Sequence, residues 1–213
     1  MHRCYLFIER IIDMNTERYL AISRYSLIIA GVMFAVGVAL HPDETAAGFV
    51  PDTTWQYLHA MLGISLILLS MGFSALAAKT ESRDSWLMTA SFIVFAMTSA
   101  LASGLLLFVE GFVLPAAVTD PAYLPFIAED GPLFGGALGA GFMLLLAVWS
   151  LAGIASGIFI ARIARKHSYT GYLFFAAPLA AFSPPLPHLV MLAGGIVLGA
   201  GAILLGLNLK EFS

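Results

Sequence analysis

The stretch WQYLHAMLGISLILLSMGFSALAA, residues 55–78, contains no Asp, Glu, Lys or Arg and a single histidine, His59. A helix that crosses a membrane needs about 20 mostly apolar residues, because the hydrocarbon is about 30 Å thick and a helix rises about 1.5 Å per residue. Residues 51–54, Pro-Asp-Thr-Thr, come directly before the stretch and supply a turn and N-cap candidates. The stretch therefore predicts a membrane-spanning helix with a well-marked start.

The composition of the whole chain agrees with this stretch, since 60% of its 213 residues are hydrophobic and 11% are charged. An ordinary soluble domain is about a quarter charged, and a disordered chain is poor in large apolar residues. The net charge of −3 gives no basic surface for nucleic acid, and the single cysteine, Cys4, excludes an intramolecular disulfide and a thiolate cluster. We therefore expect an integral membrane protein whose main partner is the lipid bilayer and which binds no nucleic acid.

Further apolar runs along the chain predict an all-α transmembrane bundle with six spans. The predicted spans cover residues 20–40, 55–78, 86–113, 133–160, 168–182 and 188–207, and Pro115 is expected to close the third. The last two come from one uncharged run, residues 169–209, which is too long for a single crossing. Three prolines within residues 184–187 favour a turn there, because proline cannot continue a helix. A re-entrant fifth segment is the alternative.

The distribution of basic residues predicts the orientation of this bundle. Short cytoplasmic loops retain Lys and Arg, whereas short translocated loops do not. No basic residue falls in the loops after the first, third and fifth spans. All ten lie before or near the start of the first span, between the second and third, between the fourth and fifth, or after the sixth: Arg3, Arg10, Arg18, Arg24, Lys79, Arg83, Arg162, Arg165, Lys166 and Lys210. Both termini are therefore expected in the cytoplasm.

The chain then divides into a cytoplasmic amino-terminal segment, residues 1–19, a single transmembrane domain, residues 20–209, and a cytoplasmic tail, residues 210–213. Two interpretations of the first segment stay open. Met14 is the true start, or residues 2–12 form a short amphipathic helix on the cytoplasmic leaflet.

Small residues one helical turn apart predict where helices contact each other. Such pairs let two backbones approach closely in lipid, where the hydrophobic effect does not drive helices together. They are Gly135 and Gly139, Gly153 and Gly157, Gly195 and Gly199, and Ser99 and Ser103. We expect most of them to pack within the bundle, and a seam of a homo-oligomer or of a larger membrane complex is the alternative. The two halves of the chain show no convincing repeat, which weakens a transporter built from inverted halves.

Three histidines and one glutamate form the candidate site. His41 ends the first span, His59 lies in the second turn of the second, Glu110 lies near the outer end of the third and His188 opens the sixth. Ionisable side chains within spans are costly and generally face the bundle interior or water. Imidazoles with one carboxylate suit a transition metal such as Zn, Cu or Fe, and two of the three histidines could instead ligate a haem b. We therefore expect a metal or haem site near the extracytoplasmic face.

Ordinary structural roles compete with this interpretation. In these interpretations His41 with Pro42 simply stops a helix, residues 55–59 form an aromatic belt at the membrane interface, and His188 only caps its helix. Glu110 is the hardest to explain in this way, since a carboxylate in an apolar span must reach outward, pair with a histidine or hold a proton.

Four short motifs carry a resemblance. They are Ala39-Leu40-His41-Pro42, Trp55-x3-His59, Glu110-Gly111-Phe112-Val113-Leu114-Pro115 and Gly206-Leu207. Over residues 20–209 the chain resembles small polytopic inner-membrane proteins of bacteria. The resemblance implies a six-helix bundle and supplies neither an activity nor a substrate.

The functional expectation therefore rests on the four candidate side chains. We expect redox or metal-assisted chemistry at the site, or an accessory role for a system that performs it. An intramembrane zinc hydrolase would use the same ligands. A small permease, or a non-catalytic structural subunit of a larger membrane complex, is the alternative from a different class.

Overall fold

The computed structural model describes residues 2–43, 52–80, 85–120, 122, 125, 131–132, 135–181 and 187–209, with the backbone alone for residues 2–16, 80 and 165. All secondary-structure elements assigned within these ranges are helical, as the all-α prediction requires. In chain order they are α1 (His2–Ala39), α2 (Thr53–Thr80), α3 (Trp86–Gly104), a π-helical segment (Leu105–Val113), α4 (Leu114–Thr119), α5 (Gly136–Ile163), a 3₁₀ turn (Arg165–His167), α6 (Ser168–Leu173), a 3₁₀ turn (Phe174–Ala176), α7 (Ala177–Ala181) and α8 (His188–Asn208).

Five helical stretches are long and apolar enough to cross a membrane, which indicates a membrane protein. They are Glu17–Ala39, Thr53–Lys79, Trp86–Thr119, Gly136–Ile163 and His188–Asn208. They match the predicted first, second, third, fourth and sixth spans to within a few residues. The backbone of residues 2–39 is one continuous helix, so the amino-terminal segment leads directly into the first stretch.

The third stretch differs from the prediction at its carboxyl end. Pro115 was expected to close this helix, but α3, the π-helical segment and α4 run on without a break to Thr119. Pro115 occupies the first turn of α4, where a missing backbone N–H is tolerated. The helix therefore changes its hydrogen-bonding register ahead of the proline instead of ending.

The predicted fifth span is a broken helix made of α6, a 3₁₀ turn and α7, with 6, 3 and 5 residues. Pro178 has no N–H for the carbonyl of Phe174, and that carbonyl instead accepts from Ala177 in the tighter 3₁₀ register. The whole piece is about 21 Å long, shorter than the hydrocarbon thickness of about 30 Å. Of the proline-rich turn predicted after it, only Pro187 lies within the described residues.

Glycines bring several helices into backbone contact. A Cβ on Gly199 of α8 would meet the carbonyl oxygen of Gly31 on α1, and a Cβ on Gly31 would meet that of Gly199. Gly157 of α5 and Gly171 of α6 oppose each other in the same way. Two of the predicted small-residue pairs thus pack within the bundle, and the first and last long helices of the chain are neighbours.

The ends of four helical elements meet at one end of the bundle. The carboxyl ends of α1 and of the π-helical segment meet the amino-terminal turns of α2 and α8, because His41 contacts Trp55 and His188 while Trp55 contacts Glu110. Every predicted site residue lies at this end of the bundle.

The contact between α1 and α8 generates a prediction about stability. Gly199→Ala places a methyl group 2.6 Å from the Gly31 carbonyl oxygen, where backbone must move, so we expect a loss of about 1–3 kcal/mol. Thermal unfolding in detergent, followed by circular dichroism, measures this as a lower midpoint. Gly104→Ala is the matched control, since its Cβ meets nothing within 4 Å and alanine favours a helix. Equal midpoints for the two variants would contradict the proposed packing.

Candidate functional site

Three of the four predicted site residues form a hydrogen-bonded cluster, His41–His59–Glu110. Nε2 of His59 lies 2.8 Å from Oε2 of Glu110 and 3.3 Å from Nε2 of His41. His59 is 1% exposed and His41 is 8% exposed, whereas the Glu110 side chain retains 21% exposure. Side chains from the end of α1, from α2 and from the π-helical segment thus meet at one buried point.

Backbone carbonyls fix how both imidazoles face this point. Nδ1 of His59 lies 3.0 Å from the carbonyl oxygen of Trp55, and Nδ1 of His41 lies 2.9 Å from that of Pro42. A carbonyl oxygen can only accept, so both Nδ1 atoms carry hydrogen and donate it. Such a bond selects the tautomer and leaves Nε2 as the free nitrogen, as in histidines that bind metals. Both Nε2 atoms point into the cluster.

His41, which lies just beyond the apolar stretch of α1, is a neutral base. The pKa of its imidazole is lowered from 6.5 to about 4, mainly by burial and then by the neighbouring His59. A hydrogen bond to the Pro42 carbonyl and the Glu110 carboxylate oppose this shift. At neutral pH His41 therefore offers a lone pair, and not a positive charge, to its neighbours.

The π-helical segment, which the sequence analysis did not predict, carries Glu110. In this segment the N–H of Leu114 bonds to the carbonyl of Val109, five residues back. The next donor along the chain would be residue 115, which is a proline without an N–H, so the Glu110 carbonyl has no donor in its own helix. π-Helical turns of this kind are frequent at functional sites.

Trp55 supplies the missing donor. Its indole Nε1 donates to the Glu110 carbonyl oxygen at 2.8 Å, and its ring stacks on His59 with centroids 4.0 Å apart. Trp55 is 3% exposed, whereas Tyr57 is 73% exposed, so only Tyr57 has the exposure of a residue in an interface belt. Trp55 and His59 are thus buried against each other and against Glu110, inside the bundle.

His188 lies next to the cluster and outside its hydrogen bonds. Its ring centroid is 6.4 Å from that of His41, against 5.0 Å between His41 and His59. Of the two remaining histidines, His167 lies between α5 and α6 and contacts Tyr169, away from the cluster. The side chain of His2 falls outside the described residues.

The cluster approaches the geometry of a metal site without reaching it. Two ligands about 2.05 Å from a tetrahedral metal lie about 3.3 Å apart, which matches the Nε2–Nε2 distance of the histidines. The His59–Glu110 pair is closer than that because it forms a direct hydrogen bond. Within the described ranges no three His, Cys, Asp or Glu side chains are grouped as a metal site.

A cavity of about 180 Å³ begins at the cluster and extends into the bundle. His41, His59 and Glu110 form its polar end, and side chains of α1, α2, α3, the π-helical segment, α5, α7 and α8 form the largely apolar remainder. Pockets for cofactor-sized ligands measure about 300–1,000 Å³. A haem b does not fit this space, and two Nε2 atoms 3.3 Å apart leave no room for a macrocycle between them.

Comparison with known proteins adds no relative. No protein-family model matches the chain, and no curated protein and no solved structure shows significant similarity to it. The geometry of the cluster therefore carries the functional argument.

The role of Trp55 generates a prediction. Trp55→Phe keeps an aromatic ring beside His59 but removes the N–H that serves the Glu110 carbonyl, and a buried acceptor without a donor costs about 1–3 kcal/mol. We expect a lower unfolding midpoint in detergent. Tyr57→Phe, two residues along the same helix on its exposed side, is the control and should leave the midpoint unchanged. A Trp55→Phe protein as stable as the control would refute this role.

Proposed function

We propose that the protein is a six-span inner-membrane protein with both termini in the cytoplasm. Five helices are long enough to cross, and the broken helix α6–α7 would provide the sixth crossing. Gly171, at its start, packs on Gly157 near the carboxyl half of α5. Leu179, near its end, packs on Gly194 of α8, close to His188 and the cluster. Two contacts at different levels support a segment that returns the chain across the bundle, and the placement of Lys and Arg supports its orientation.

We further propose that His41, His59 and Glu110 bind one transition-metal ion near the extracytoplasmic face, with His188 beside them. The observation that carries this proposal is that Nε2 of His41, Nε2 of His59 and Oε2 of Glu110 converge on one point. Both imidazoles donate their Nδ1 hydrogens to backbone carbonyls, so each Nε2 can offer a lone pair to a metal. Zn, Cu and Fe are the metals that such a donor set suits. The site would serve redox or metal-assisted chemistry, or an accessory role for a system that performs it.

Counting protons explains why a cation suits this point. The cluster has two contacts, His41 to His59 and His59 to Glu110, and Nε2 of His59 takes part in both. One proton on that nitrogen, or on Glu110, satisfies the 2.8 Å contact. The two Nε2 atoms, 3.3 Å apart, then either share the hydrogen that His59 donates to Glu110 or have no hydrogen between them. A metal ion would accept lone pairs from all three atoms at once, after Glu110 Oε2 moves about 0.5 Å away from His59.

Metal binding would therefore release the proton between His59 and Glu110, because the ligands of a metal must be deprotonated. Trp55 would act as a positioning residue, since it holds the backbone of Glu110 and the face of His59. Such orienting contacts around a metal site typically change affinity 10–100-fold when they are lost.

Metal analysis of the purified protein tests the proposal. We expect about one Zn, Cu or Fe per chain after purification in detergent or after exposure to the ion and removal of excess, because three donors converge on one point. His59→Ala and Glu110→Gln should lose the metal, whereas His167→Ala, a histidine distant from the cluster, should keep it.

Elution in size-exclusion chromatography identifies variants that fail to fold, and Glu110→Gln preserves the shape of the side chain if His59→Ala does fail. A wild-type protein that takes up none of the three metals, or a His59→Ala protein that binds as much as the wild type, would refute the metal site.

A second candidate function is proton movement in a small permease. The direct 2.8 Å bond between His59 and Glu110, at the polar end of a cavity, favours it, since chains of His and carboxylate groups form proton relays in membranes. Metal-free protein in vesicles would then pass protons under an imposed potential, and Glu110→Gln would abolish the flux. A purely structural subunit would show neither metal nor flux.

A further inference from the structure

A second cavity lies on the outside of the bundle, between the π-helical segment and the amino-terminal half of α5. We call it the lateral groove. The π-helical segment packs on α2, whereas α5 packs against α3, so the two walls diverge towards the cluster end. The groove has a volume of about 450 Å³ and is almost wholly apolar. Its lining includes Leu105, Val109 and Glu110 from one wall and Leu138, Gly141 and Phe142 from the other.

The groove and the inner cavity share a wall. Glu110 and Phe142 line both of them, and among the residues that the structure describes Glu110 is the only Asp, Glu, Lys or Arg in either lining. The inner cavity ends at His41 and His59, while the groove opens among exposed apolar residues such as Leu138 and Phe108. One carboxyl group thus lies between a lipid-facing groove and the buried cluster.

The chemistry of this wall limits what fits the groove. An acyl chain fills the apolar part as well as any other apolar body, but it leaves the carboxyl without a partner at the groove side. Glu110 uses Oε2 towards His59 and retains acceptor capacity on Oε1. A hydroxyl can donate to such an oxygen, a second carboxylate would repel it, and a charged amine would first have to leave the polar headgroups at high cost.

We propose that the lateral groove binds a lipid-soluble molecule with a long apolar body and a single neutral hydroxyl head, which enters from the bilayer and hydrogen-bonds to Glu110. The inference rests on the proposed membrane location and names the substrate class of the proposed site. It does not depend on metal. The hydroxyl would reach the face of the cluster opposite His41, while the chain stays in the groove between Leu138 and Val109.

Photolabelling in vesicles tests the inference. The full chain is reconstituted in phosphatidylcholine vesicles and exposed to hexadecanol that carries a diazirine on its chain, or to the same hydrocarbon without the hydroxyl. We expect the alcohol to label α5 and the π-helical segment more strongly than the hydrocarbon does. Glu110→Ala should reduce the labelling by the alcohol to that by the hydrocarbon. Equal labelling of the wild type by the two probes would overturn the proposal.

Two glycines offer a matched pair of variants. A Cβ on Gly141 of the groove or on Gly104 of α3 meets nothing within 4 Å, so a side chain can leave the backbone at both positions without a clash at its first carbon. Gly141→Leu fills the groove and should reduce labelling by the alcohol at least about tenfold, the effect expected when a few carbons are excluded from an apolar pocket. Gly104→Leu, outside the groove lining, should label like the wild type. Unchanged labelling in Gly141→Leu would overturn the proposal.

Metal content separates this inference from the proposed function. Gly141→Leu leaves His41, His59 and Glu110 in place and should bind metal like the wild type. Loss of alcohol labelling with metal retained supports the groove and leaves the metal site standing. Alcohol labelling in a protein that takes up no metal supports the groove and refutes the metal site alone.

Discussion

The hydrogen bond between His59 and Glu110 joins α2 to the π-helical segment in surroundings with little water to replace either partner. In water a broken pair of this kind is solvated at once, so an exposed pair contributes little. In an apolar bundle each partner would instead bear the full penalty of desolvation. The positions of Trp55, His41 and the register of the third helix all follow from keeping this pair together.

The register of the third helix is the clearest case. An α-helical path through residues 105–113 would leave the carbonyl of Gly111, four residues before Pro115, without a donor in its own helix. The π-helical path moves that deficiency to one carbonyl, that of Glu110, which faces the indole of Trp55. The same widening of the helix presents the Glu110 side chain to His59. The N–H that Pro115 lacks would serve the Glu110 carbonyl, and the indole of Trp55 donates to that carbonyl instead.

The sequence predicts the level of each site residue better than its contacts. Apolar runs place His41, His59, Glu110 and His188 at the same end of their helices, because antiparallel neighbours joined by loops bring those ends together. The runs carry no information on rotation about the helix axis, so they cannot separate the hydrogen-bonded His41 from the more distant His188. The buried role of Trp55 is hidden for the same reason, since a tryptophan at a helix start is also typical of an interface.

Two other features needed the structure because they depend on backbone hydrogen bonds. Pro115 was expected to close its helix and Pro178 lies inside the predicted fifth span, but the structure has a wide π-helical segment before the first and a tight 3₁₀ turn before the second. The residues before a proline decide between these outcomes through the donors that surrounding helices offer. The apolar pattern of one helix gives no information about those donors. The cavity and the lateral groove are likewise properties of how helices diverge, which hydropathy does not record.

The backbone contact between Gly31 and Gly199 has a consequence for how the protein is made. The first long helix has its main partner in the last one, about 150 residues later, so its glycine face has no partner while the intervening helices are synthesised. At about 5–20 residues per second this interval lasts roughly 10–30 s. During it, α1 can pair with α2 and assemble His41 with His59, but the bundle closes only when α8 inserts. The amino-terminal helices must therefore persist in lipid as an open, half-built assembly, with a seam of small residues available to other membrane helices.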